Sequence, residues 1–154
     1  MKTTVPQLPA ALHTFSQLLS STRRGARLAR LLATEQLRAW EVSPTVIERA
    51  EQIVAELAAN AALHGRVQGR DFRLALTLDT AAGTLRIAFS DARGDHLPAP
   101  TTDARPDEEE AESGRGLLLV TALADRWGTE PYPPAGKTVW AELDCRGARP
   151  PEVQ

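Results

Sequence analysis

Apolar residues return at two different periods along this chain, and the switch between them divides it into elements. From Ser43 to Gly65, Val46, Ile53, Leu57 and Ala61 recur at helical spacing and mark one buried stripe. Ser43 can cap this helix, Pro44 suits its first turn, and Gly65 suits a left-handed exit. Ahead of it, Arg23 to Trp40 reads as a helix with Leu28, Leu31 and Leu32 on one face, and Ser20-Ser21-Thr22 supplies caps. Leu12 to Leu19 reads as a short strand. Then the period falls to two. Phe72, Leu74, Leu76 and Leu78 alternate with Arg73, Ala75 and Thr77, a half-buried strand. Thr80 to Gly83 turns the chain, and Leu85, Ile87 and Phe89 alternate in a second strand, which predicts a hairpin. Leu117 to Ala124 reads as an apolar helix, a strand begins at Trp127, Pro131 to Gly136 turns, and Thr138 to Leu143 alternates as a last strand. The predicted order is β-α-α-β-β-loop-α-β-β. Hairpin-linked strands with grouped helices argue for an α+β fold, an antiparallel-leaning sheet with helices on one face.

Residues 92–113 break the pattern. They hold Pro98, Pro100 and Pro106 together with Asp103, Asp107, Glu108, Glu109, Glu110 and Glu112, and almost no apolar side chains. A structureless connection of that length inside a compact domain is usually functional or disordered. Residues 1–11 read as a flexible lead and 145–154 as a flexible tail, which leaves one domain over 12–144.

Composition mostly excludes. At 154 residues the chain suits a single domain with a proper core. A formal net charge of −2 gives no overall reason to expect nucleic acid or an anionic membrane. A lone cysteine, Cys145, rules out an intramolecular disulfide and fits a reducing compartment. No apolar run approaches the roughly 18–20 residues that span a bilayer, and Met1 to Ala11 lacks a signal-peptide layout. These features predict a cytoplasmic protein. His13, His64 and His96 are scattered, with no zinc-site spacing.

Four stretches carry candidate chemistry. Glu56 and Asn60, four apart, project from one helix face beside the apolar stripe. Together they offer oxygen ligands for a hard cation such as Mg²⁺ and a carboxylate able to take a proton. Asp91, at the end of a buried strand, can accept a hydrogen bond from an exocyclic amine, although a turn aspartate is the commoner meaning of an isolated Asp-x-x-Gly. Gly114 and Gly116 open the helix that begins at Leu117, and glycines at a helix N-terminus let unpaired N–H groups approach a phosphate, with Arg115 able to pair with its oxygens. Thr138 brings a hydroxyl able to join a base-binding network, and Lys137 beside it reads as a solvated side chain.

Taken in order, Glu56-Leu-Ala-Ala-Asn60-Ala-Ala-Leu-His64-Gly65, a strand pair ending in Asp91, a long loop, Gly114-Arg-Gly-Leu117 and Gly136-Lys-Thr138 resemble the ATP-binding domain of the GHKL superfamily. Gly114 to Val120, Ala124 to Gly128 and Gly136 to Trp140 are similar to its small stand-alone members, the anti-sigma factor serine/threonine kinases. The resemblance covers about residues 12–144. It implies a Bergerat-type α/β sandwich, a mixed, mostly antiparallel sheet with helices packed on one face. It also implies that Asn60 holds Mg²⁺ against the ATP phosphates and that Glu56 is the general base for the acceptor serine. Asp91 would bind adenine with Thr138 near it, and His64, Gly65, Gly94, Gly114, Arg115, Gly116 and Leu117 would line the nucleotide. Residues 92–113 would form the ATP lid. One departure stands out: Arg93 and Asp95 occupy the glycine positions of the first glycine box, and a Cβ there limits close approach to a nucleotide.

The expected function is an ATP-binding anti-sigma factor that phosphorylates an anti-sigma-factor antagonist and binds a sigma factor. It would do so without direct nucleic-acid or membrane contact, as a possible homodimer. The alternative is a non-catalytic, nucleotide-responsive protein-binding module. Glu56 favours the first and the altered 93–95 box the second.

Overall fold

The structure, a computed structural model, describes residues 11–64, 67, 69–94 and 108–145. The elements are β1 (Leu12–Leu19), α1 (Arg23–Ala39), α2 (Pro44–Ala59), a π-helical turn (Asn60–His64), β2 (Phe72–Asp79), β3 (Thr84–Asp91), α3 (Glu108–Leu123), β4 (Arg126–Tyr132) and β5 (Gly136–Asp144). The five strands form one sheet in the order β1-β2-β3-β5-β4. Every pairing is antiparallel, so the mixed sheet implied by the family resemblance is not found. The reason lies in the connections. α1 and α2 bring the chain back beside β1 in the opposite sense, and β5 inserts between β3 and β4, separating the two strands that run the same way.

Alternation decides which side of each strand is buried. Phe72, Leu74, Leu76, Leu85, Ile87, Phe89, Val139, Ala141 and Leu143 face the helices, and Ile53, Val54, Leu57 and Ala58 of α2 complete the core. The predicted stripe Val46, Ile53, Leu57 and Ala61 is buried throughout. α1 forms where expected, but its packing is not set by its leucines. Its buried side is Gly25, Ala29, Ala33, Thr34 and Leu37, while Leu31 is 68% exposed and Leu28 43%. Small residues at four-residue spacing let the helix lie close against its neighbours, Leu37 joins them in the core, and Leu28 and Leu31 are left outside.

Local chemistry fixes the helix ends. Thr22 Oγ1 accepts from the Gly25 N–H at 3.0 Å, an N-cap of α1. At the other end Glu41 takes a left-handed φ of 57°, and the bonds Val42 N–H to Leu37 and Glu41 N–H to Arg38 close a Schellman motif without glycine. Ser43 sits at the N-cap of α2 but makes no side-chain capping bond there, so Pro44 at the first position carries that start.

α3 begins at Glu108, nine residues before the predicted start at Leu117. Residues 108–113, expected as part of a loop, are therefore helical, and Gly114 and Gly116 lie inside the helix. Four glutamates and an alanine precede Gly114, and all five are good helix formers. Acidic residues in a first turn also suit the helix dipole. That combination carries the helix through two glycines that each cost about 1 kcal/mol against alanine. Residues 95–107, the rest of the expected lid, lie outside the described residues, as do the N-terminal residues up to 10 and those beyond 145. Among the described residues no helix is long and apolar enough to cross a membrane.

Candidate functional site

α2 supplies the first part of the site. Its α-helical bonding gives way to a π turn over Asn60–His64, and such single-turn widenings recur at functional sites. The turn shifts the last residues relative to an ideal helix. Asn60 ends 8% exposed among the apolar neighbours Leu57, Ala61 and Ala62, while Glu56, one turn earlier, stays half-buried.

α3 meets this face. Gly116 is buried against Glu56, and a methyl group added at Gly116 would collide with the Glu56 carboxylate oxygen Oε2. Two of the sequence-predicted residues, a carboxylate on α2 and a glycine on α3, are thus in direct apposition. α3 is held there from its other end. Arg49 of α2 donates through Nε, at 3.1 Å, and through Nη2 to the carbonyl of Leu123, the last residue of α3, and pairs with Asp125 at 3.6 Å. A cation borrowed from a neighbouring helix satisfies a terminal carbonyl and complements the dipole. Leu117 and Val120 pack inward behind Gly116.

The glycines do not open a helix in this structure, contrary to the sequence expectation. Within α3 the Gly116 N–H lies in a helical interior, where it is consumed by the helix rather than offered to an anion. The helix N-terminus is at Glu108 instead.

At the ends of β3 and β5 lies a second cluster. Asp91 and Lys137 face each other across the sheet and are both buried, 4% and 3% exposed. Lys137 Nζ lies 3.1 Å from each Asp91 oxygen and donates to the Arg93 carbonyl at 2.8 Å. The Arg93 N–H donates to Asp91 Oδ1 at 2.9 Å. Burial pushes the Asp91 carboxyl above its usual range, and Lys137 and the Arg93 N–H pull it back. The chain then passes to Gly94, whose N–H bonds the Ala135 carbonyl at 2.8 Å. A Cβ at Gly94 would strike the carbonyls of Ala135 and Gly136 at 2.6 Å, so a glycine is required for this close approach.

Thr138 does not share this cluster. One step along β5, it points to the sheet face opposite the helices, where it is buried and bonds Ser90 at 2.6 Å between hydroxyls. Side chains alternate along a strand, so Asp91 and Thr138, one register step apart, cannot lie on one face. The residue that sequence reasoning passed over is Lys137. Its signal was present: Lys137, Val139, Ala141 and Leu143 share one parity, and a lysine in phase with a core stripe is an inward lysine.

A cavity of about 710 Å³ opens at this end of the sheet, between Arg70, Arg73, Asp91, Ala92 and the Tyr132–Gly136 turn. It includes Ser90 and Asp91 but not Glu56, Asn60, Gly116 or Thr138, so it meets the candidate site only at the end of β3. Gly65 lies outside the described residues, and the side chains of His64 and Arg115 are outside them as well. Among the described residues no group of three or more His, Cys, Asp or Glu side chains forms a metal cluster. A metal here would need ligands from elsewhere. Asn60 fits that requirement for Mg²⁺, which takes one or two protein ligands and draws the rest from phosphates and water.

The fold recurs in known proteins. The RsbU and RsbW domains of Rv1364c from Mycobacterium tuberculosis superpose with a TM-score of 0.64 at 19% identity, over 90% of this chain and 33% of that one. This chain thus spans about a third of the Rv1364c structure. The SiaB-SiaC complex from Pseudomonas aeruginosa gives a TM-score of 0.60 at 14% identity, over 84% of this chain and 88% of that chain. At such identities the likeness is one of fold. No curated protein matches the chain in sequence. Residues 19–143, however, match the histidine kinase-like ATPase domain, a span that holds α2, the Asp91–Lys137 pair and α3, and the chain belongs to that family.

Proposed function

We propose that this protein binds Mg-ATP and acts as a cytoplasmic anti-sigma regulator, transferring the terminal phosphoryl group to a serine or threonine of an antagonist protein. The observation that carries the reading is the apposition of Glu56 and Gly116, which puts a carboxylate beside the second glycine box. Phosphoryl transfer asks little covalent chemistry of a protein, so positioning and charge do most of the catalysis. Asn60 would hold Mg²⁺, which neutralises charge on the phosphates when bound. Asp91 accepts the amino group of adenine. Gly114, Gly116 and Leu117, with Arg115 between the glycines, approach the phosphates, and their N–H groups become available once α3 opens at its glycines. Residues 92–113 then serve as the lid, and His64, Gly65 and Gly94 line the nucleotide. Thr138 supports this wall through Ser90. Glu56 takes the proton of the acceptor hydroxyl as its oxygen attacks the terminal phosphorus and the bond to the bridging oxygen breaks, releasing ADP.

The family match supports ATP as the ligand, and the likeness of fold to SiaB, which forms a complex with SiaC, is in keeping with a partner protein. A sigma factor as second partner, and a homodimer, belong to the same proposal. One observation favours a non-catalytic, nucleotide-responsive binding module instead: α3 runs unbroken through Gly114 and Gly116.

Glu56→Gln separates the two. It keeps shape and removes basicity, and general bases contribute about 10²–10⁴-fold. Transfer from labelled ATP to antagonist proteins is expected to fall by about that factor, with ATP affinity in calorimetry nearly unchanged. Equal rates for variant and parent would remove Glu56 from the mechanism. ATP and sigma-factor binding without transfer by either protein would establish the binding module.

A further inference from the structure

The sheet face turned away from the helices is hollowed at one end. Arg73, Ser90 and Thr138 stand opposite one another across β2, β3 and β5, and all three belong to that face. Leu18 of β1 extends the row beside Arg73. Two residues back along β5 the same face carries Gly136, which adds no side chain to the floor, and Tyr132 of β4 stands opposite it. Leu18, Arg73, Ser90, Gly136 and Tyr132 all line the cavity of about 710 Å³, as does Arg70 from the chain before β2. That volume lies within the roughly 300–1,000 Å³ of small-ligand sites. Glu56, Asn60 and Gly116 do not reach it, so this space is separate from the one beside α2 and α3.

The charges of the face differ between its two ends. Away from the cavity the arginines are paired: Arg86 with Glu130 at 3.0 Å, over the ring of Trp140, and Arg126 with Glu142 and Asp144. At the cavity Arg73 donates to the neutral Ser16 hydroxyl at 2.7 Å. Among the described residues neither Arg73 nor Arg70 has an ion-pair partner. Asp71 on the rim pairs with neither of them, and the Asp91 carboxylate is held by Lys137. Ser90 and Thr138 share one hydrogen bond, which uses one of their two hydroxyl hydrogens. With Thr138 as its donor, the Ser90 hydrogen is left for the cavity.

We infer that this cavity is a second binding site, on the sheet face opposite the helices, for a small aromatic oxyanion. Arg70 and Arg73 take the charged group, because the planar guanidinium fork matches the oxygens of a carboxylate or phosphate. The Ser90 hydroxyl adds a neutral donor at the floor. Tyr132 and Leu18 supply the apolar surface that a flat ring packs against, and an aromatic pair adds to the area it buries. A cation without its carboxylate in a concave, partly apolar setting is a place where an anion binds better than on an open surface, since the walls exclude water from the pair. The inference stands apart from the nucleotide reading, whose residues lie elsewhere.

The test is an NMR titration of the isotope-labelled full chain with phenyl phosphate, followed at the backbone amides. Binding is expected at about 1 mM, the range for a ligand of this size, with saturable shifts over residues 69–73, at Ser90 to Ala92 and at Tyr132 and Gly136. Benzyl alcohol, which keeps the ring and lacks the charge, is expected to bind at least about tenfold more weakly. Arg73→Gln and Tyr132→Ala should each weaken phenyl phosphate at least about fivefold. Arg86→Gln, on the same face but already paired with Glu130, should stay within about twofold. Benzoate as a second ligand tells the headgroups apart, and the tighter of the two anions names the one that the arginines accept. Absence of saturable shifts at these amides overturns the inference, as do shifts confined to Glu56 to Ala62 and Gly116. Equal binding of benzyl alcohol, or equal losses in Arg86→Gln and Arg73→Gln, overturns it as well. If Arg73→Gln does not fold, Arg70→Gln decides by the same criterion.

Discussion

Helices α2 and α3 each carry part of the candidate site, and they are built in opposite ways. α2 buries Val46, Ile47, Ala50, Ile53, Val54, Leu57 and Ala58, a stripe that runs its full length and packs on β3 and β5. α3 buries Leu117 and Val120 among its described side chains and leaves Leu118 and Leu119 exposed. α2 contains no glycine, whereas α3 carries two in mid-helix. The Glu56 carboxylate thus stands on a helix that the core holds in place. It meets Gly116 on a helix that, among the described residues, Arg49 ties at its far end through the Leu123 carbonyl. A base has to be placed accurately. The backbone that meets the phosphates has to adapt. The packing of each helix suits the role it would have.

The largest effect should come from breaking α2. Leu57 is fully buried, one residue after Glu56. Leu57→Ala removes most of a packed side chain and leaves a cavity, and is expected to cost about 2–5 kcal/mol. Leu119→Ala, on the exposed side of α3, should stay within about 0.5 kcal/mol. Urea unfolding of both variants measures the contrast, and equal costs would mean that the two helices are anchored alike.

Asn60 is the polar end of the same rigid helix. If it holds Mg²⁺, Asn60→Ala should weaken Mg-ATP binding about tenfold or more, near 1.4 kcal/mol. The same substitution should hardly change binding measured in EDTA without magnesium. A loss of equal size with and without the metal would take Asn60 out of the metal site.

The contrast also explains what could be read from the sequence. α2 was legible because its stripe repeats at a period that the core enforces, and β2 and β3 were legible through strict alternation. In α1, sharing a face does not make Leu28, Leu31 and Leu32 a core stripe: Leu28 and Leu31 are exposed and only Leu32 packs against the core. Its packing is set instead by small residues, Gly25, Ala29 and Ala33, that permit close approach. The start of α3 was missed because glutamates and glycines read as loop. Helix propensity competes with both readings, and no apolar period marks the first turns. Of the site, Glu56 and Gly116 emerged as neighbours from residues 60 apart in sequence. Asp91 stands at the end of β3 where alternation places it, but its buried partner Lys137 is legible only from its place in the same alternation, not from its charge. The opposite facing of Thr138 follows from the same overlooked register.

The smallest effect tests the contact between the two helices. Gly116→Ala should gain about 1 kcal/mol from helix propensity. It must also move the Glu56 carboxylate, because the new methyl group would overlap Oε2. The end of a glutamate side chain moves cheaply, so the net change in stability is expected to stay within about 1 kcal/mol. A double-mutant cycle isolates the collision. Glu56→Ala removes the obstacle, so the alanine at position 116 should be better tolerated in that background. The expected coupling is about 0.5–1 kcal/mol, in the range found for residues in contact. Phosphotransfer supplies a second reading of the same contact: Gly116→Ala alone should slow it by displacing the base while leaving the protein folded. A coupling energy near zero, with transfer undisturbed, would show that Glu56 and Gly116 do not meet in solution, and the adaptable helix would then have no part in placing the base.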